Sequence, residues 1–388
     1  MSSKKIGLAV CYDTKNFGSQ LQVLATDKKI KELGYETEII RYKKTISLVF
    51  VLQTIPRFFN IYFIRSKINS KKKRKLIKQY PEIQEKVNIR NKRFASFVES
   101  NFTNLSKKYA GWSNLKQSSN DYDAFLCGSD QLWLPQNLGS HFYTLEFVAD
   151  NKPKIAYATS FGVSAIPWFQ HRRTKNYLNR FSCLSTREIK GVQIIEKLTG
   201  RKAEVVCDPT LLFDKNGWKE IISEKKVVDE PYIFCYFLGG NEDHRVIANE
   251  FAKEKGMKIV SCPFLDNFVE IDKDFGEIQM FDMDSADFVN LIRHAEYILT
   301  DSFHGTVFSI IHHKQFITFN RFKEGSGSRN SRIDSLCELL ELNARRYNGN
   351  LMAQSDKQID YDKTERLLQD LRDASIKYLE EALLVSCK

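Results

Sequence analysis

Four short stretches carry the residues whose types and spacing could do chemistry. In the first, Asp301-Ser302-Phe303-His304-Gly305-Thr306 follow the apolar run "EYILT" and lead into "VFSII". A strand ending at Thr300 puts them at the opening of a helix, where free backbone N–H groups and the helix dipole favour an anion. Ser302 can cap that helix and donate to a phosphate oxygen, and Gly305 lets a ligand approach the backbone closely. An ordinary N-cap with a solvated His304 uses the same residues, so pattern alone leaves both readings open. In the second stretch, "FSCLSTRE", Arg187 follows a strand. Its guanidinium can clamp a carboxylate or phosphate in bidentate fashion, or it can be a surface Arg, or one paired with Glu188 or an inter-domain acid. In the third, Gly128-Ser129-Asp130-Gln131 make a polar turn followed by Trp133. A ring beside a carboxylate and an amide suits a sugar, while a capped turn with Trp133 in the core competes with that reading. The fourth runs from Asp13 through Asn16 to Gln20 and opens a helix, without the spacing of a dinucleotide fingerprint or a P-loop.

The elements that must position these residues alternate. "KIGLAVCY", the loop just named, "LQVLATDKKIKELG" and "ETEIIRY" read as strand, loop, helix and strand, the unit of a parallel sheet. "DAFLCG", "PKIAYATS", "FSCLSTR" and "AEVVCD" read as further strands. A second series starts near Pro231 with "PYIFCYFLGG", "DHRVIANEFAKEKG" and "KIVSCPF", and continues through "DFVNLIRHA", "EYILTDS", "HGTVFSIIHH" and "QFITFN". The fold class is therefore α/β, two Rossmann-like β/α domains facing a cleft. Expected boundaries are 1–218 for the N-terminal domain, 229–345 for a C-terminal domain, and 346–388 for a helical tail. The charged stretch "FDKNGWKEIISEKKVVDE" reads as the linker. Ligands in open α/β sheets bind beyond the carboxyl ends of the strands, where all four stretches fall.

With 42% hydrophobic and 28% charged residues, the composition is that of a soluble globular protein. None of the eight cysteines form a CxxC pair, and several lie inside apolar runs, which reads as reduced, buried thiols and a cytoplasmic location. The strand pattern begins almost at the start, so no signal peptide is expected. No clustered His/Cys pattern appears, and the expectation is no protein-bound metal and no cofactor. The net charge of +11 matches the excess of one segment, Arg57 to Arg93, with 13 Lys/Arg against Glu82 and Glu85. It overlaps the apolar, aromatic run "ISLVFVLQTIPRFFNIYFI", too interrupted to span a membrane. Residues 46–93 therefore read as an interfacial anchor for an anionic membrane surface, with a solvated helical face as the competing reading. No RRM, KH or zinc-knuckle pattern is present, so no nucleic-acid partner is expected.

In their order, "NFGSQLQ", "CGSDQLW", "YATSFG", "STREIKG", "VVCDPTLLF", "TDSFHGTVFSI" and "NSRIDSL" resemble the polysaccharide pyruvyl transferase family over roughly residues 5–345. The resemblance implies a GT-B-like pair of domains, acceptor-side at 1–218 and donor-binding at 229–345, with phosphoenolpyruvate as donor substrate and a ketal-linked pyruvate on a sugar as product. It implies that Arg187 and His304 contact the donor, with Ser302 and Gly305 beside them. Many members carry Arg-Leu where this chain has Ser302-Phe303, so one cation is missing; Arg321, Arg329 or Arg332 are the candidates to replace it. His304 is expected to be the acid or the phosphate ligand. A helix N-terminus disfavours imidazolium, a tension that a bound phosphate would offset. Asp130, Asp13 and Asn16 are expected to orient or deprotonate the acceptor, with Gly128, Ser129 and Trp133 lining its site. An acceptor on a polyprenyl diphosphate lipid, at the inner face of the plasma membrane, fits the basic segment. A nucleotide-sugar glycosyltransferase of the same fold is the alternative, and a non-catalytic membrane- or nucleic-acid-binding protein a remote one.

Overall fold

The computed structural model describes residues 3–45, 80–135, 141–265, 269–322 and 330–386. Its first sheet joins β1 (Lys5–Ala9), β2 (Glu36–Lys43), β3 (Leu105–Ala110), β4 (Ala124–Cys127), β5 (Lys154–Thr159), β6 (Cys183–Thr186) and β7 (Glu204–Val205). The second joins β8 (Tyr232–Tyr236), β9 (Lys258–Ser261), β10 (Ile278–Gln279), β11 (Tyr297–Thr300) and β12 (Gln315–Thr318). The strand orders are β3-β2-β1-β4-β5-β6-β7 and β10-β9-β8-β11-β12, and the pairings are parallel. Parallel strands covered on both faces read as continuous apolar runs, which is why β4, β5 and β8 are buried at every residue. In each sheet the strand order switches sides once, between the parallel neighbours β1 and β4 and between β8 and β11. Those switch points open the crevices where ligand loops meet.

Helix α1 (Phe17–Glu32) follows β1, α2 (Pro81–Asn101) precedes β3, α3 (Ser285–His294) precedes β11, and α4 (Phe303–Ile311) follows it. Helices α5 (Ser331–Leu339) and α6 (Tyr361–Ser386) close the described chain. The two halves share one apolar core. Phe17 of α1 stacks on Phe288 of α3 at 5.1 Å and packs against Phe94 of α2 at 4.8 Å. Gln20 of α1 accepts a hydrogen bond from Ser285 Oγ at 2.7 Å. Helix α6 leaves the second half and returns to the first sheet: Tyr378 Oη donates to Ala156 O at 2.9 Å, Arg372 Nε to Leu211 O at 2.8 Å, and Ser375 Oγ accepts from Cys207 N at 2.8 Å.

Two expectations change here. The front of the expected linker is a short helix, Lys215–Ile221, whose Trp218 is fully buried against Phe308 at 4.9 Å. A charged stretch hides one anchoring ring from a composition count. The segment 46–93 divides: residues 46–79 lie outside the described residues, and the rest belongs mostly to α2. There Arg90 is buried, Arg93 pairs with Asp282, Asp284 and Asp287, and Lys86 lies 4.2 Å over Phe281. These cations face the second domain, because three carboxylates wait there, and are not free for a membrane. Among the described residues, no helix is long and apolar enough to cross a membrane.

Candidate active site

The loops after β1, β4, β6, β7 and β11 bring their polar residues to one place between the domains. Asn16 caps α1, its Oδ1 accepting from Ser19 N at 3.0 Å. Ser302 caps α4, its Oγ accepting from Gly305 N at 3.3 Å. Two helix N-termini thus open toward the same spot, and their partial positive charges add. Their first turns touch through Gly18 and His304. A Cβ on Gly18 would sit 2.0 Å from His304 Nδ1 and 2.6 Å from His304 Cβ, so only glycine admits this ring.

Beneath them lies a charge network. Arg187 is buried and donates from Nη1 to Asp208 Oδ2 at 2.5 Å and to Ser129 Oγ at 3.1 Å, and from Nη2 to Asp130 Oδ1 at 3.3 Å. Asp130 also accepts from Ser19 Oγ at 2.5 Å, and its backbone sits at φ 77°. That left-handed conformation is tolerated by Asp, and Asp130 O fixes it by accepting from Leu132 N and Ser160 N. Asp208 is fully buried, accepts from Ser129 Oγ at 2.7 Å and Thr210 Oγ1 at 2.7 Å, and lies 3.6 Å from His304 Nε2. Arg187 lies 4.5 Å over the Phe303 ring and Arg332, from α5, lies 5.6 Å from it. Phe303, next to the capping Ser302, is therefore a face on which two guanidinium groups rest.

Burial alone would raise the Asp130 carboxyl, but Arg187, His304, the Ser19 bond and Arg332 together hold it down at about 2. Burial would likewise raise Asp208, and His304, Arg187 and Ser129 hold it well below the usual carboxylate range. Arg332 is pushed down to about 9, by burial first and then by Arg187. Asp130 and Glu188 offset that only in part. Among the described residues, Nε of Arg187, Arg321 and Arg332 and Nε2 of His304 have no hydrogen-bond partner. Buried donors without acceptors are rare and costly. Here they cluster where an anion with several oxygens would satisfy them.

This predicts two linked effects. Inorganic phosphate should raise the melting temperature of the protein. Arg332→Met should raise it in the absence of phosphate by about 2–4 °C per kcal/mol of relieved charge burial, and should remove most of the phosphate-dependent gain. Differential scanning calorimetry reads both. An undiminished phosphate effect in the variant would take Arg332 out of the anion site.

Of the residues singled out from sequence, Asn16, Ser129, Asp130, Arg187, Ser302, His304 and Gly305 meet here. Arg321 sits beside them, bonded through Nη2 to Asp301 O at 2.9 Å. Asp13 is exposed on the loop after β1. Gly128 backs onto Val10, whose Cγ1 would lie 2.9 Å from a Cβ there. Arg329 lies outside the described residues. Trp133 does not line the site: it is fully buried among Phe161, Tyr177 and Phe181, and its Nε1 donates to Tyr143 O. It is core, because its polar atom is satisfied by backbone and no face remains for a sugar. Arg187 is not a surface residue, and Glu188 is not its partner. Glu188 instead accepts from Ser160 Oγ, Phe161 N and Gly162 N, pinning the loop after β5. Sequence reasoning missed Gly18, Ser19 and Asp208, although "NFGSQLQ" and "VVCDPTLLF" contain them.

The family model described as polysaccharide pyruvyl transferase matches residues 16–321. No curated protein sequence matches the chain. Similar solved structures include a putative UDP-N-acetylglucosamine 2-epimerase from Listeria monocytogenes, with 10% identity, a TM-score of 0.46 and 95% of each chain covered. They also include UGT89C1 of Arabidopsis thaliana, with 10% identity, a TM-score of 0.47 and 100% of each chain covered. A UDP-GlcNAc 2-epimerase from Methanocaldococcus jannaschii gives 12% identity and a TM-score of 0.46, covering 95% of this chain and 98% of that one.

Proposed function

The chain belongs to the polysaccharide pyruvyl transferase family, and from that premise we propose that it moves the pyruvyl group of phosphoenolpyruvate onto two hydroxyls of a surface-polysaccharide sugar. The observation that carries the donor assignment is the cluster of buried side-chain nitrogens on Arg187, Arg332 and His304 that make no hydrogen bond among the described residues, with Arg321, paired to Asp301, beside them. Phosphoenolpyruvate offers them a phosphate and a carboxylate. Arg332 supplies the cation that the Ser302-Phe303 sequence does not.

His304 protonates the donor's methylene carbon, which becomes the methyl group and leaves C2 oxocarbenium-like. One sugar hydroxyl adds to C2, the C–O bond to phosphate breaks, and the second hydroxyl closes the ketal. Of the two hydroxyl protons, one replaces the proton that His304 gave and the other leaves with phosphate. Asp130 is ionised and retains some exposure, 22% of its side chain, so it suits orienting the acceptor. Asp13 and Asn16 stand on the rim through which the acceptor enters. An acceptor on polyprenyl diphosphate would keep the protein at the inner face of the plasma membrane, with residues 46–79 as the contact.

Phosphate release from phosphoenolpyruvate, dependent on a lipid-linked oligosaccharide and accompanied by its gain in mass, tests the reaction. His304→Ala should lower turnover by about 10²–10⁴-fold, and near-normal turnover would remove His304 from the mechanism. Release of UDP from UDP-sugars in place of phosphate would favour the glycosyltransferase reading. Co-sedimentation with anionic but not neutral vesicles checks the membrane placement.

A further inference from the structure

Asp208 does more than anchor Arg187. We infer that it is a positioning residue that holds the His304 imidazole in place, in an electrostatic pair assembled across the two domains. The inference deepens the reading of His304 as the proton source, on which its catalytic consequence rests.

The geometry is as follows. Asp208 follows β7 in the first domain, and His304 opens α4 in the second. Asp208 Oδ2 takes Arg187 Nη1 and Ser129 Oγ, and Oδ1 takes Thr210 N at 3.1 Å and Thr210 Oγ1 at 2.7 Å. Those four bonds occupy the lone-pair sites of a carboxylate. His304 Nε2 approaches Oδ1 to 3.6 Å, within ion-pair reach and beyond a hydrogen bond, which leaves this buried nitrogen without a partner. The interaction is therefore electrostatic, and Thr210 competes for the same oxygen.

The surrounding charges make Asp208 necessary. Arg187 and Arg332 share the Phe303 ring next door, and both disfavour a positive imidazole. So do the N-termini of α4, which carries the ring, and of α1, against whose Gly18 the ring lies. Asp130 and Asp208 are the carboxylates that oppose them, and Asp208 is the one within 4 Å. Asp208 has no exposed side-chain surface, so water does not screen the pair. The pair also exists only while α4 rests against the first domain. The contact therefore ties the opening of α4 to the first domain.

The test uses the full chain with ¹⁵N-labelled histidine, the His304 signal being assigned from its loss in His304→Ala. In Asp208→Asn the His304 pKa should fall by at least one unit, and the alkaline limb of the kcat profile should move with it. Asp208→Glu should recover part of the shift. A change below 0.3 units in a folded variant overturns the inference. Thr210→Val provides the check if Asp208→Asn does not fold. Losing the competing hydroxyl should raise the His304 pKa by about half a unit, and no movement overturns the inference as well. The NMR readout is independent of turnover, so failure of the pyruvyl-transfer reading and failure of this pair are separable.

Discussion

Arg187→Met is expected to cost the fold about 3–5 kcal/mol and to lower kcat/KM for phosphoenolpyruvate by about 10²–10³-fold. Both effects come from one guanidinium with two duties. It neutralises Asp208 and Asp130, and it leaves Nε free. Removing it strands two buried carboxylates, and their charge then opposes an anionic donor. The pH dependence has a definite sign. Asp130 is held at about 2 in the native protein, below its unfolded value of about 4. Its ionisation therefore stabilises the fold fully above about pH 4, and that contribution is lost as pH falls toward 2. In Arg187→Met both carboxyls should titrate higher, so acid unfolding should begin nearer neutrality. Urea titrations at several pH values measure this. A variant with unchanged stability and an unchanged acid transition would mean that Arg187 is not the counter-ion of this network.

The second large effect is expected at a residue with no side chain. Gly18→Ala introduces a methyl group 2.0 Å from His304 Nδ1, 2.2 Å from Cγ and 2.6 Å from Cβ. The whole imidazole must move, not only its tip, and His304 is buried with little room to do so. A displacement of about 1 Å at a catalytic group costs about 10²-fold in rate. Helix propensity alone would favour alanine by about 1 kcal/mol, so the secondary structure of α1 should survive. The expected signature is a helical protein, by circular dichroism, with kcat reduced about a hundredfold. Wild-type turnover in Gly18→Ala would mean that the approach of α4 to α1 does not exist in the working enzyme.

What the sequence makes legible, and what it hides, follows from where each signal originates. The buried parallel strands are legible because solvent touches neither face, so β1, β4, β8 and β11 appear as apolar runs. The ends of β4, β6 and β11 locate the loops that supplied Asp130, Arg187, Ser302 and His304. Strand β3, "LSKKYA", escapes because it is an edge strand carrying two exposed lysines. Gly18, Ser19 and Asp208 escape because their partners lie far off in sequence: Ser19 meets Asp130, Asp208 meets Ser129 and Arg187, and 286 positions separate Gly18 from His304. Trp133 misleads because a ring after a polar turn looks alike in a core and in a sugar site. Arg90 and Arg93 mislead because a charge count has no direction.

Helix α6 has a consequence for how the molecule is made. It is the last described element, yet it satisfies Cys207 N and donates to Ala156 O and Leu211 O in the first half. A ribosome delivers that first half long before residue 361. For most of synthesis the early sheet waits with one flank uncovered and a polar backbone group unpaired. Completion of the first domain is thereby tied to the emergence of α6, and a nascent or truncated first half would be the form most in need of a chaperone.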